Sequence, residues 1–166
     1  MKDATGMSGM QRGLTLIELL IGLVVMTILT TLAVPGFQSL REQYTVRSAG
    51  MAVYADLQLA RSEAIKRNRE VTVCFTNSGA ANWSYALHDS DDCSGDIIES
   101  VSSQNYPSII VESNVGADIT FTPRRNTFFA GNIAVKNGTY VMKAVLSNYG
   151  GIRSCSDNGL MGVPSC

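Results

Sequence analysis

Residues Leu14 to Phe37 read LTLIELLIGLVVMTILTTLAVPGF, and Glu18 is the only charged side chain among them. An apolar run of just over twenty residues, rising about 1.5 Å per residue as a helix, matches a hydrocarbon core roughly 30 Å thick. The run is longer than the apolar region of a secretory signal peptide, and no Ala-x-Ala-like cleavage site follows it. Before it stand Lys2 and Arg12 against Asp3. This weak basic excess keeps the N-terminus in the cytoplasm and sends the rest of the chain outward. Glu18 is the anomaly, because a carboxylate inside a span costs several kcal/mol unless a cation neutralises it. A new α-amino group at Leu14 would be that cation, since Glu18 lies one helical turn further along.

These residues resemble a known family. Gly13-Leu14-Thr15-Leu16-Ile17-Glu18 is similar to the prepilin peptidase signal of type IV pilins and type II secretion pseudopilins. The resemblance implies cleavage after Gly13 by a dedicated membrane peptidase, N-methylation of Leu14, and a glutamate at the fifth mature position, here Glu18. Leu14 departs from the phenylalanine usual at the first mature position. Pro35 also fits the family pattern. The implied role of Glu18 is assembly: its carboxylate pairs with the Leu14 amine on its own chain or on a docking neighbour, and so sets the register of a subunit entering the filament. An ion pair is tolerated in low dielectric where a lone charge is not.

Pro35-Gly36 predicts a kink or a locally loosened helix. Beyond Phe37, Val46, Ala49, Val53, Leu57, Ala60 and Ala64 recur at three- and four-residue spacing, which predicts one buried face of an amphipathic helix ending near Arg67 or Asn68. From Glu70 the pattern becomes period two, with strands expected at Val71–Phe75, Trp83–His88, Ile109–Glu112, Ile119–Thr122, Asn132–Val135, Tyr140–Leu146 and Gly151–Cys155. The expected fold is α+β: a long N-terminal helix, membrane-spanning and then amphipathic, packed on a mostly antiparallel sheet. The expected organisation is a cleaved leader (1–13), a transmembrane helix (14–37), an amphipathic helix (38–69) and a β-rich periplasmic head (70–166).

The chain has 45% hydrophobic and 16% charged residues, which excludes a disordered polar chain, and its formal net charge of -1 supplies no global attraction to nucleic acid. Cys74, Cys93, Cys155 and Cys166 form no CxxC pair, so two disulfides in an oxidising compartment are expected rather than zinc. Four cysteines allow three pairings. Short-loop closure favours Cys74–Cys93 with Cys155–Cys166 but leaves the others open. The run Asp89–Asp96 is acidic and turn-rich, yet an EF-hand needs a glutamate at its twelfth position and flanking helices, so a solvated loop tied by Cys93 is expected. No Gly-x-Ser-x-Gly, Walker loop, HExxH or Cys/His pairing occurs. His88 reads as an ordinary strand residue, no metal or cofactor is implied, and the chain reads as a non-enzyme.

Within the family, Leu59 to Arg67 resembles the "ARSEAIKR" helix end of the FimT/FimU/GspH group of minor pilins and pseudopilins, and Val145 to Arg153 resembles its late glycine-rich segment. The resemblance implies a minor pilin that helps prime or cap a type IV pilus, with other pilins, prepilin peptidase and the inner membrane as partners. It also implies two alternatives, a GspH-like pseudopilin of a type II secretion system and a FimT-like pilin that takes up double-stranded DNA in transformation. For DNA, the group's Gly-Arg-x-Arg motif falls on Gly150, Gly151, Ile152 and Arg153, without its first arginine. Arg124, Arg125, Lys136 and Lys143 are the nearby bases that would have to compensate.

Overall fold

The computed structural model describes residues 13–124 and 130–166. The chain falls into two units, one ending at Ser39 and the other spanning Leu40–Cys166. One helix, α1 (Leu16–Arg67), contributes to both. Thr15 caps it: the Glu18 N–H donates to Thr15 Oγ1 at 3.3 Å and to the Thr15 carbonyl at 3.1 Å. Thr-x-x-Glu at a helix start is the capping-box pattern. The helix continues through Pro35 without a break, where only bending or loosening was expected. Pro35 has no N–H to offer the Thr31 carbonyl.

In the second unit, Val46, Ala49, Val53, Leu57, Ala60 and Ala64 are all buried, as their spacing predicts, and Gly50 joins them. A Cβ built on Gly50 would stand 2.5 Å from Met142 Sδ, so glycine is what lets the helix approach this close. Asn68, at φ 52°, turns the chain out of the helix.

Eight strands follow: β1 (Val71–Thr76), β2 (Ser84–His88), β3 (Ile97–Ser102), β4 (Ile110–Ser113), β5 (Asp118–Phe121), β6 (Gly131–Lys136), β7 (Val141–Leu146) and β8 (Ile152–Ser156). They form two antiparallel four-stranded sheets rather than one, in the orders β3-β2-β1-β5 and β4-β6-β7-β8. Their inner faces and the helix stripe make one core that includes Trp83, Leu87, Phe121, Ile133 and Leu146. Trp83 precedes β2 rather than belonging to it, and its indole N–H donates to the Ile109 carbonyl at 2.7 Å. β3 was not expected from sequence. It is an edge strand with little burial, so its apolar residues do not alternate cleanly.

Candidate functional site

The chemistry-bearing residues fall into two groups, one in each unit. In the first, Gly13 and Leu14 precede α1 and Glu18 occupies its first turn. Residues 13–38 are all exposed, and a Cβ on Gly13 would meet nothing within 4 Å. Acidic charge in the first turn suits the positive end of the helix dipole. Along the apolar stretch, Thr27, Thr30 and Thr31 turn their hydroxyls inward, donating at 2.8 Å to the carbonyls of Leu23, Met26 and Ile28. Such back-bonding satisfies polar side chains without water, as an apolar surrounding demands. The capping pattern and these threonines were legible in the sequence but were not read there. Thr30, Thr31, Val34 and Pro35 line a shallow depression on the helix. Among the described residues, α1 is the one helix long and apolar enough to cross a membrane.

In the second unit, disulfides join Cys74 to Cys93 and Cys155 to Cys166. The first ties β1 to the acidic loop, and the second closes the C-terminal segment onto β8. The acidic loop is satisfied mainly from within the protein. Asp92 Oδ1 accepts from the Ser94 N–H at 2.9 Å and the Ser94 hydroxyl at 2.7 Å, which holds its carboxyl below the usual carboxylate range. Asp89 Oδ2 accepts from Arg67 at 2.7 Å and lies 3.3 Å from Arg69. His88 Nδ1 contacts the Gly95 carbonyl at 2.9 Å, fastening β2 to the same loop. Among the described residues, no group of three or more His, Cys, Asp or Glu is placed to hold a metal ion.

The candidate DNA-contacting bases separate. Lys136 on β6, Lys143 on β7 and Arg153 on β8 alternate with the buried Val135, Met142 and Ile152, and so share the outer face of the second sheet. Lys136 is paired with Glu112 of β4 at 2.5 Å, and Lys143 is paired with Asp157. Arg153 is exposed and belongs to no salt bridge among the described residues. Arg124 follows β5, in the other sheet, and is exposed. Arg125 lies outside the described residues. Sequence reading also missed Arg61, whose guanidinium donates to the Gly150 carbonyl at 2.7 Å.

An apolar helix with a lone acidic residue in its first turn, joined to a two-sheet head stapled by disulfides, defines a pilin-like filament subunit. The family model described as type II transport protein GspH matches residues 49–150, and that for the prokaryotic N-terminal methylation motif matches residues 9–34. The first match covers more than half of the sequence: the chain belongs to the GspH family, the minor pilins and pseudopilins of the FimT/FimU/GspH type. Two crystal structures of the type IV minor pilin FimU from Pseudomonas aeruginosa share its fold. One is 18% identical with a TM-score of 0.52, covering 65% of this chain and 90% of that one. The other is 20% identical with a TM-score of 0.55, covering 68% and 89%. No curated protein sequence matches the chain.

Proposed function

We propose that this chain is a minor pilin subunit that contributes to assembly of a type IV pilus at its priming or tip stage. In this reading, prepilin peptidase cuts between Gly13 and Leu14, and Leu14 is N-methylated. Residues 14–37 then anchor the chain in the inner membrane, with residues 70–166 as a periplasmic head. The observation that carries it is Glu18, the single charge in the exposed apolar stretch of residues 14–37, placed one turn from Leu14. Glu18 pairs with the amine of Leu14 on its own chain or on a neighbour and sets the docking register. In this reading the role is structural rather than enzymatic, which the match to the pilin family supports.

The test is Glu18→Leu in cells. Membrane insertion should persist while incorporation into filaments falls. Full incorporation would overturn the paired-charge role. Replacing Gly13 with a bulky residue should leave the leader attached, and normal processing of that variant would remove the peptidase assignment.

A second reading, a pseudopilin of a type II secretion system, is favoured by the description of the matching family. Deleting the chain's gene would separate the two readings, through loss of piliation or loss of secretion. Contact with double-stranded DNA is the lesser reading. The shared face of Lys136, Lys143 and Arg153 supports it, but both lysines would first have to leave their carboxylates. Salt-sensitive duplex binding that falls on Arg153→Gln would establish it.

A further inference from the structure

The outer faces of the two sheets differ in chemistry. On the second sheet Glu112, Lys136, Lys143 and Arg153 alternate with buried residues and face outward, the charged side chains usual where a sheet meets water. On the first sheet Val71, Val73, Phe75, Tyr85 and Leu87 belong to the core, which turns Cys74, Thr76, Ser84 and Ala86 outward. Ser102 stands opposite Ser84, and Ser100 opposite Ala86. This face is therefore small and uncharged. Thr76, Ser84 and Ser102 make one row across β1, β2 and β3, and with strands about 4.8 Å apart the row spans about 10 Å.

Small side chains make a low floor, and the chain builds a wall at each end of it. At one end the acidic loop is tied over the sheet by the Cys74–Cys93 disulfide, by the Thr72 hydroxyl donating to the Ser90 carbonyl at 2.9 Å, and by His88 at the Gly95 carbonyl. At the other end Asn105 Oδ1 accepts from the Ser102 N–H at 3.2 Å and from its hydroxyl at 3.3 Å. Between the walls lies a cavity of about 490 Å3, a volume usual for a ligand site. Among the described residues, no Asp, Glu, Lys or Arg lines it. The hydroxyls of Thr76, Ser84 and Ser100 have no hydrogen-bond partner among the described residues, and neither do His88 Nε2 and Asn105 Nδ2.

Hydroxyl, carboxamide and neutral imidazole groups both donate and accept hydrogen bonds without carrying charge. A phosphate or carboxylate ligand would find no cation here, and an ammonium ligand no carboxylate. An apolar ligand would leave the hydroxyls covered and unpaired. A ligand whose own hydroxyls donate and accept meets each of these conditions. We propose that the outer face of β1, β2 and β3 is a binding site for a neutral saccharide. Thr76, Ser84, Ser100 and Asn105 are its hydrogen-bonding residues, and the disulfide-held loop is its wall. The site lies wholly within the head and goes beyond the assembly role proposed above.

The test uses the full chain in a detergent whose headgroup is not a sugar, titrated with a trimer of N-acetylglucosamine and a trimer of glucose. Saturation transfer from the protein to at least one trimer should rise to a plateau and give a Kd. The preferred trimer tells an acetylated amino-sugar source from a hexose source. Thr76→Val with Ser84→Ala should raise that Kd at least about fivefold, since two hydrogen bonds are lost. Arg153→Gln, on the outer face of the other sheet, should change it by less than about twofold, as a distant site. Melting midpoints check that the variants stay folded, and Ser100→Ala alone repeats the comparison if the pair does not. No transfer to either trimer, or a Kd indifferent to the lost hydroxyls, overturns the proposal. Equal weakening by Arg153→Gln would put the sugar on the second sheet and overturn it as well.

Discussion

The guanidinium of Arg61 donates a 2.7 Å hydrogen bond to the carbonyl of Gly150, joining α1 to the turn between β7 and β8. Both residues lie in the two segments that resemble the FimT/FimU/GspH group, so the contact links those segments in space. Within the turn, the Gly150 N–H donates to the Ser147 carbonyl and the Ser147 N–H to the Gly151 carbonyl, both at 2.9 Å. Gly150 sits at φ +80°, where a Cβ would be strained.

Arg61→Ala should cost about 1.5–3 kcal/mol, the range for a hydrogen bond to a charged donor. The loss should be local. Amide exchange at Ser147–Gly151 should accelerate more than exchange in β1, and equal acceleration throughout would show that Arg61 acts on the core instead.

Gly50→Ala should destabilise the head. Overpacking against Met142 costs about 1–3 kcal/mol, whereas alanine recovers only about 1 kcal/mol of helix propensity. In a Met142→Ala background the Sδ and Cγ contacts go and only the tight contact to the residue 142 Cβ, at 3.1 Å, remains, so the same change should cost clearly less. Denaturant midpoints of the four proteins in detergent check this, and additive effects would contradict the close approach.

Reducing either disulfide should cost about 2–4 kcal/mol. The loops of 19 and 11 residues differ by only about 0.5 kcal/mol in closure entropy. Cys→Ser pairs at the two sites should therefore shift the melting midpoint similarly. A negligible shift at Cys155–Cys166 would show that buried Leu160 and the backbone bonds of Ser156 to Pro164 and Cys166 hold the C-terminal segment without it.

Asp56 and Tyr85 predict a pH dependence. The Tyr85 hydroxyl donates to Asp56 Oδ2 at 2.6 Å. Burial pushes the Asp56 carboxyl above its ordinary value, more than the Tyr85 hydrogen bond lowers it, and Glu99 adds repulsion. Burial likewise raises the Tyr85 hydroxyl, with Asp56 adding to the shift. With the folded pKa above the unfolded one, the folded state holds more protons between the two, so this group's contribution to stability declines as pH rises through that window. Asp56→Asn should raise the melting midpoint at neutral pH and give no gain below the ordinary carboxylate range. A wild type more stable than Asp56→Asn at pH 7 would mean that the Tyr85 bond outweighs burial.

The features legible in the sequence alone are those carried by neighbours in the chain. The apolar run with Glu18, the helical stripe from Val46 to Ala64 and the strand VTVCF each depend on a local period that burial imposes. The organisation of the head depends on pairings between distant residues. β4 and β5 are adjacent in sequence yet join different sheets, and no local period records which partner a strand takes. β3, at a sheet edge, has too little buried surface to mark itself. The candidate bases show the same limit. Lys136 and Lys143 read as available cations until β4 brings Glu112 beside one and the segment after β8 brings Asp157 beside the other. Tertiary structure decided those charges, because an ion pair depends on distance in space, which sequence separation does not measure.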